Sequence, residues 1–275
     1  MSLDSVPGAP VRESEFQRFA NLTWTLAITE WRLRFYGSVL GVAWTLLRPF
    51  AFFGVIYVVF AKIAKVGEGV VNYPAYILLS LILFGFFGEV TGGCVGALVQ
   101  RENLLRKMRF PRLVIPVSVA VTALLNLGMA LIAGVIFLVA LGVTPDWGWL
   151  QLIPMVVLLL IFSLGVGLLL SALFVRFRDI QPIWEVVSQM LFYASPILYV
   201  ATLVPPDYLR PYLANPIASI LTQMRHAIMD PNAAGAAEAI GGAPRLLIPL
   251  GIVFGTFALG WWVFNREAPR VAENL

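Results

Sequence analysis

Charge is scarce in this sequence. Asp, Glu, Lys and Arg make up 12% of 275 residues, against 60% hydrophobic residues. That much apolar surface cannot be hidden in one soluble core, so the composition defines an integral membrane protein. There is one cysteine, Cys94, inside an apolar segment, which leaves no disulfide framework and no cysteine zinc site. There is one histidine, His226, which excludes an H-E-x-x-H site. No G-x-x-x-x-G-K-[ST] phosphate loop occurs, so the chain does not bind ATP in that way. Acids are sparse as well. Glu89, Asp179 and Glu185 are those close to the membrane interior on the inner half, and they form no cluster of the kind that catalysis on lipid-linked sugars needs. The N-terminal stretch MSLDSVPGAPVRESEF has acids and prolines but no apolar h-region, so the first span is expected to act as the insertion signal. No internal repeat of the inverted-transporter kind is present.

What remains is a set of long apolar runs. They predict an all-α membrane protein with six spans at about 38–61, 73–99, 113–142, 150–175, 182–204 and 246–264, together filling 37–265. Residues 1–14 and 266–275 are read as cytoplasmic tails. The stretch from Gly69 to Gly88 is free of charge for 20 residues, which at about 1.5 Å per residue matches a hydrocarbon core about 30 Å thick. Residues 15–36 have a different pattern. At 100° per residue, Arg18, Asn21, Thr25, Thr29 and Arg32 fall on one polar stripe, with aromatic and aliphatic residues over most of the rest. This is an amphipathic helix at the membrane interface or a helix packed on the bundle. Glu30 and Arg34 fall on its apolar side and break the pattern. Between Pro206 and the last span, proline-interrupted polar sequence predicts short re-entrant or surface helices.

Basic residues cluster between the runs. With the N-terminus inside, thirteen of the 19 Lys and Arg fall on cytoplasmic pieces and five outside, with Arg48 unassigned, which puts both termini in the cytoplasm. The largest island, QRENLLRKMRFPRLVIP, mixes Arg101, Arg106, Lys107, Arg109 and Arg112 with Leu104, Leu105, Met108 and Phe110. It offers a partner protein an apolar knob with a positive rim, or it is a cytoplasmic loop obeying the positive-inside rule. Arg48 lies within the first apolar run, facing a water-filled path or placed nearer the surface than a simple count implies. Glu89, among Gly88, Gly92, Gly93 and Gly96, has a functional role or makes a helix–helix polar contact. Aromatic residues Tyr57, Phe60, Phe84, Phe86, Phe87, Phe192, Tyr193 and Tyr199 are either packing or flat walls along which sugar rings slide.

WRLRFYGSVLGVAWTLLRP, ENLLRKMRFPRLVIPVS, RFRDI, SPILY, and the Asn215–Pro216 pair followed by Arg225 occur in this order along nearly the whole chain. In that arrangement the sequence resembles the membrane subunit of ABC-2 type exporters, in the branch that exports O-antigen, teichoic acid and galactan. The resemblance implies a homodimer in the bacterial inner membrane, bound to two copies of a separate ATPase subunit that carries ATP and Mg. This chain itself is expected to hold no cofactor and no metal and to bind no nucleic acid. The substrate implied is a polyprenyl-diphosphate-linked glycan. Asn103, Leu104, Leu105, Arg106, Lys107, Met108, Arg109, Phe110, Pro111 and Arg112 would form the helix that couples to the ATPase. Arg32, Arg34 and Arg48 would hold the diphosphate at a lateral entrance. Tyr57, Phe84, Phe87, Phe192, Tyr193 and Tyr199 are the channel-lining candidates, and helices between Pro206 and Asp230 an outer gate. An ABC-2 exporter of drugs or lipids is the alternative, and a membrane-embedded glycosyl or acyl transferase a third reading.

Overall fold

The computed structural model describes residues 14–36, 41, 43–101 and 110–268, and among them the secondary structure is entirely helical. Helix α1 (Glu15–Phe35) begins at a reciprocal cap: Gln17 N donates to Ser14 Oγ at 3.2 Å, and Ser14 N donates to the Gln17 side chain at 3.0 Å. Helix α2 (Ala43–Ile56) continues as a π-helical stretch, Tyr57–Ile63. Then follow α3 (Tyr73–Val95), α4 (Ala97–Gln100), α5 (Val114–Ala140), α6 (Leu152–Arg176), α7 (Ile180–Tyr193), α8 (Pro206–Leu213), α9 (Pro216–Met224), α10 (Ala236–Ala239) and α11 (Leu247–Glu267).

Five stretches among the described residues are long and apolar enough to cross a membrane: Leu46–Ile63, Tyr73–Val95, Val114–Ala140, Trp147–Arg176 and Ala243–Glu267. Helix α3 is the hub. Most of its side chains are buried, as the run from Ala75 to Leu83, apolar but for Ser80, requires. It packs against α5 and α6, and α6 packs along α11. The last pair is drawn together by glycine: a Cβ on Gly165 would stand 2.6 Å from the Cα of Phe257, and one on Gly260 would fall on the Gly165 carbonyl. Small residues at such a crossing let two backbones touch and gain dispersion contacts that lipid does not supply.

Where the sequence predicts a fifth span, over 182–204, the chain forms a 14-residue helix, α7 (Ile180–Tyr193), about 21 Å long at 1.5 Å per residue, and then irregular backbone with one short 3-10 turn at Ala201–Leu203. Pro196 accounts for the break, since it disfavours helical backbone at Ser195 and has no N–H to donate. The segment runs antiparallel to α3. Trp184 faces Phe87 at 6.0 Å, Phe192 faces Phe84 at 5.3 Å, and the Leu198 carbonyl accepts from Tyr73 Oη at 2.5 Å. Irregular backbone beside apolar helices needs protein donors in place of water. The Pro196 carbonyl accepts from Tyr76 Oη, and Asn215 Nδ2 donates to Ser195 Oγ at 3.0 Å. Asn215 also caps α9, accepting from Ile217 N at 3.0 Å. The SPILY and Asn-Pro motifs are thus two sides of one joint. Short helices α8, α9 and α10 close over it, with Tyr212 Oη donating to Tyr199 Oη at 3.2 Å and Tyr199 Oη to the Tyr193 carbonyl at 2.9 Å.

Candidate functional site

Helix α1 presents to the bundle the stripe that its periodicity leaves unexplained. Thr23, Ala27, Glu30, Trp31 and Arg34 share one face at 100° per residue, opposite the polar stripe of Arg18, Asn21, Thr25, Thr29 and Arg32, all five of which are exposed. Thr122 Oγ1 of α5 donates to the Ala27 carbonyl at 3.2 Å, and Trp31 Nε1 donates to Asn126 Oδ1 at 3.0 Å. The two charges that spoil the apolar side are both paired. Glu30 meets Arg101, just past α4, and Arg34 meets Glu89 of α3. Burial raises the pKa of the Glu30 carboxyl, and the nearby Arg101 and Arg34 guanidiniums offset only part of that; burial likewise lowers the pKa of Arg101.

Glu89 stands at the centre of the second contact. Its Oε1 accepts from Arg34 Nη1 and from Asn126 Nδ2, the latter at 2.7 Å. Asn126 therefore has both ends of its amide committed, the oxygen to Trp31 and the nitrogen to Glu89. This network lines a cavity of about 530 Å³ whose wall also includes Arg48, Trp44, Gly85, Gly88 and Gly92. Arg48 is exposed and has no ion pair or hydrogen bond among the described residues.

The cavity is one section of a longer groove. A second cavity of about 630 Å³ shares Trp44, Arg48 and Pro49 with it, and a third of about 440 Å³ shares Gly88 and Gly92 with the first and Phe52, Phe84 and Phe192 with the second. The groove follows α3, with α2 and α7 at its sides. It is polar at the end near α1, where Arg34, Arg48, Glu89 and Asn126 line it, and toward α7 the rings of Phe52, Phe84, Trp184, Phe192 and Tyr193 stand beside Glu185, Ser188 and Gln189. A Cβ at Gly85, Gly88 or Gly92 would meet no atom within 4 Å. At those positions the absent side chains leave groove space and not helix contact. Gly93 does make a close contact, where a Cβ would lie 2.8 Å from Val119.

The predicted site residues are divided by this geometry. Arg34 and Arg48 share the first cavity, whereas Arg32 is exposed on the far side of α1 and lines none of the three. Phe84 and Phe192 line the second and third cavities, and Tyr193 the third. Phe87 is fully buried, stacked on Phe162 at 5.6 Å. Tyr57 stacks on Phe53 at 5.7 Å and lines none of the three cavities, and Tyr199 belongs to the joint with Tyr212. Of the predicted coupling segment, Asn103, Leu104, Leu105, Arg106, Lys107, Met108 and Arg109 lie outside the described residues; Phe110 packs on the core, Pro111 is exposed and Arg112 is half-buried. Sequence reasoning missed Asn126 and Trp31. Asn126 left a signal, being the one amide side chain in the charge-free helix Val114–Ala140.

An all-helical, multi-pass bundle with an aromatic groove and a charged lip has the architecture of a membrane permease. The chain belongs to the ABC-2 type transporter family, which it matches over residues 21–229. It is 32% identical over 211 residues to the O-antigen export system permease protein RfbA of Myxococcus xanthus, covering 76% of this chain and 80% of that one. It is 27% identical over 245 residues to RfbA of Klebsiella pneumoniae, covering 89% and 91%. To the polysialic acid transport protein KpsM of Escherichia coli it is 25% identical over 209 residues, covering 74% and 80%.

Proposed function

We propose that this protein is the transmembrane subunit of an ATP-driven exporter that moves polyprenyl-diphosphate-linked polysaccharide out of the cytoplasm across the inner membrane. The observation that carries this reading is the groove along α3, with two guanidiniums at one end and, at the other, aromatic rings interspersed with Glu185, Ser188 and Gln189. Guanidinium groups bind phosphate oxygens bidentately, and aromatic faces let a polymer pass without fixing it by many hydrogen bonds. Relatives named for O-antigen and polysialic acid transport support the same substrate class.

In this reading α1 lies in the cytoplasmic interface and both termini are cytoplasmic. The chain crosses six times, the fifth crossing being α7 completed by the irregular Ser195–Val200 segment. Two copies associate, and each carries one ATPase subunit that binds ATP and Mg. The basic island around Arg106, Lys107 and Arg109 couples the two proteins. Arg34 and Arg48 hold the diphosphate at the lip of the groove, with Arg32 outside it.

The test is co-purification from native membranes in mild detergent. The wild-type chain should bring an ATPase subunit in equal amount, and reversing the charges of Arg106, Lys107 and Arg109 should abolish this. Depletion of the chain should remove surface glycan. Loss of drug efflux with surface glycan intact would instead identify the drug or lipid exporter, and absence of any ATPase would overturn the exporter reading.

A further inference from the structure

We propose that Glu89 is an exchangeable counter-ion that makes the lip of the groove selective for diphosphate over singly charged phosphate headgroups. The inference rests on the proposed role of Arg34 and Arg48 as the diphosphate site. It starts from a difficulty which that role creates. A cavity open beside α1 and α2 with two free guanidiniums would sit among phospholipids, each offering a phosphate. Two unopposed arginines would hold such a headgroup and stay blocked.

The structure contains an answer. One of the two arginines is already occupied: Arg34 is paired with Glu89 inside the cavity, while Arg48 has no partner among the described residues. The net charge offered to an incoming anion is that of one guanidinium. A monoanionic headgroup satisfies Arg48 and gains little by displacing a carboxylate of the same charge. A doubly or triply charged diphosphate gains more, because it can engage Arg48 and still outbid Glu89 for Arg34. A ligand shifts such an equilibrium only by its differential affinity for the two arrangements.

Three features of the site fit exchange and not a permanent lock. The side chains of Arg34 and Glu89 are 48% and 26% exposed, so the pair is reachable and only weakly held. Arg34 and Asn126 both bond Oε1 of Glu89, so when Arg34 leaves, the carboxylate keeps a charge-assisted partner at 2.7 Å and is not stranded. Asn126 is itself oriented by Trp31, so the arrangement can re-form when the cavity empties. Glu89 is thus a positioning residue, acting through Arg34.

The experiment uses the full complex with its ATPase in zwitterionic-lipid nanodiscs, and measures binding of farnesyl diphosphate and of farnesyl methyl phosphate, a phosphodiester with the single charge of a phospholipid phosphate. Wild type should prefer the diphosphate by about tenfold, the scale of one charge-assisted contact. Glu89→Gln should narrow the ratio, because the singly charged probe then gains a second guanidinium that it could not win from the carboxylate, and adding phosphatidylglycerol to the discs should then inhibit the variant more than wild type. Asn126→Leu, which keeps Glu89 but removes its brace, should move the ratio the same way by less. An unchanged ratio in both variants overturns the counter-ion role, as does equal weakening of both probes with a lower thermal midpoint, the mark of a purely structural residue. Arg48→Ala separates the layers: weaker binding of both probes supports the entrance reading, and no effect on either overturns that reading.

Discussion

At the scale of single residues, two positions separate the groove from the scaffold. Gly88 faces open space shared by two of the three cavities. Gly88→Leu should fold with a stability within about 1 kcal/mol of wild type, since nothing has to move to admit the side chain. Export should be lost because the groove floor is filled. Surface glycan blots together with thermal unfolding in detergent check both halves; a variant that still exports at the wild-type rate would remove the groove from the translocation path. Tyr76 is the opposite case. It is buried and its hydroxyl satisfies the Pro196 carbonyl. Tyr76→Phe leaves that acceptor buried and unbonded, and should cost about 1–3 kcal/mol. Hydrogen exchange measured by mass spectrometry should rise in the peptide spanning Ser195–Val200 before it rises in α3.

At the scale of elements, the contact of α1 with the bundle has an electrostatic cost. The Glu30–Arg101 pair is held where desolvation outweighs attraction, so the charged pair opposes folding at neutral pH although it fixes the register of α1. The double variant Glu30→Met, Arg101→Met should therefore be at least as stable as wild type at pH 7. The sign of the pH dependence follows from linkage. Because the pKa of Glu30 is higher in the folded state, its favourable contribution is present below the unfolded value and is lost as pH rises through the folded one. Acidifying from neutral through that window should favour the wild type, so the gap between variant and wild type should narrow. Thermal midpoints of both proteins across the window measure it, and a widening gap would contradict the assignment. This pair also shows how far the sequence could be read. Glu30 and Arg34 stood out as charges on an apolar face, but their partners lie on α3 and past α4, and periodicity carries no such long-range information. The long apolar runs were legible because length and hydropathy suffice for a regular crossing helix. The interruption of the run Val186–Pro206 at Ser195 and Pro196 was legible from the proline, but not that the chain stays irregular after it. The Ser195–Pro196 step ends the helix there only because Tyr73, Tyr76 and Asn215 supply the bonds that make an irregular stretch tolerable. The glycines of α3 read as helix contacts for a related reason: sequence shows that a residue is small, not whether a neighbour or a cavity occupies the space.

At the scale of the whole molecule, the groove is open along one side. Helix α7 has no buried residue, and Ile183, Val186, Met190 and Tyr193, spaced to share one face, are all more than half exposed. Across the groove, α2 exposes Leu47, Phe52 and Val55. An apolar wall of this kind faces either lipid or a second copy of the chain, and the distinction decides whether the groove is a furrow open to the bilayer or half of a closed channel. The proposed exporter requires the second, since a hydrated polysaccharide cannot slide along hydrocarbon. Replacing Cys94, which is buried and free, by alanine gives a background for single cysteines. A cysteine at Met190 should cross-link two chains in native membranes, and one at Phe254, exposed on α11 away from the groove, should not. Cross-linking at Phe254 alone would place the partner copy on the other flank and leave the groove to lipid. Should Met190→Cys cross-link, adding a non-hydrolysable nucleotide should change its efficiency, because in the proposed exporter an ATPase pair closing beneath the two chains would drive transport by changing the distance between the walls that flank the groove.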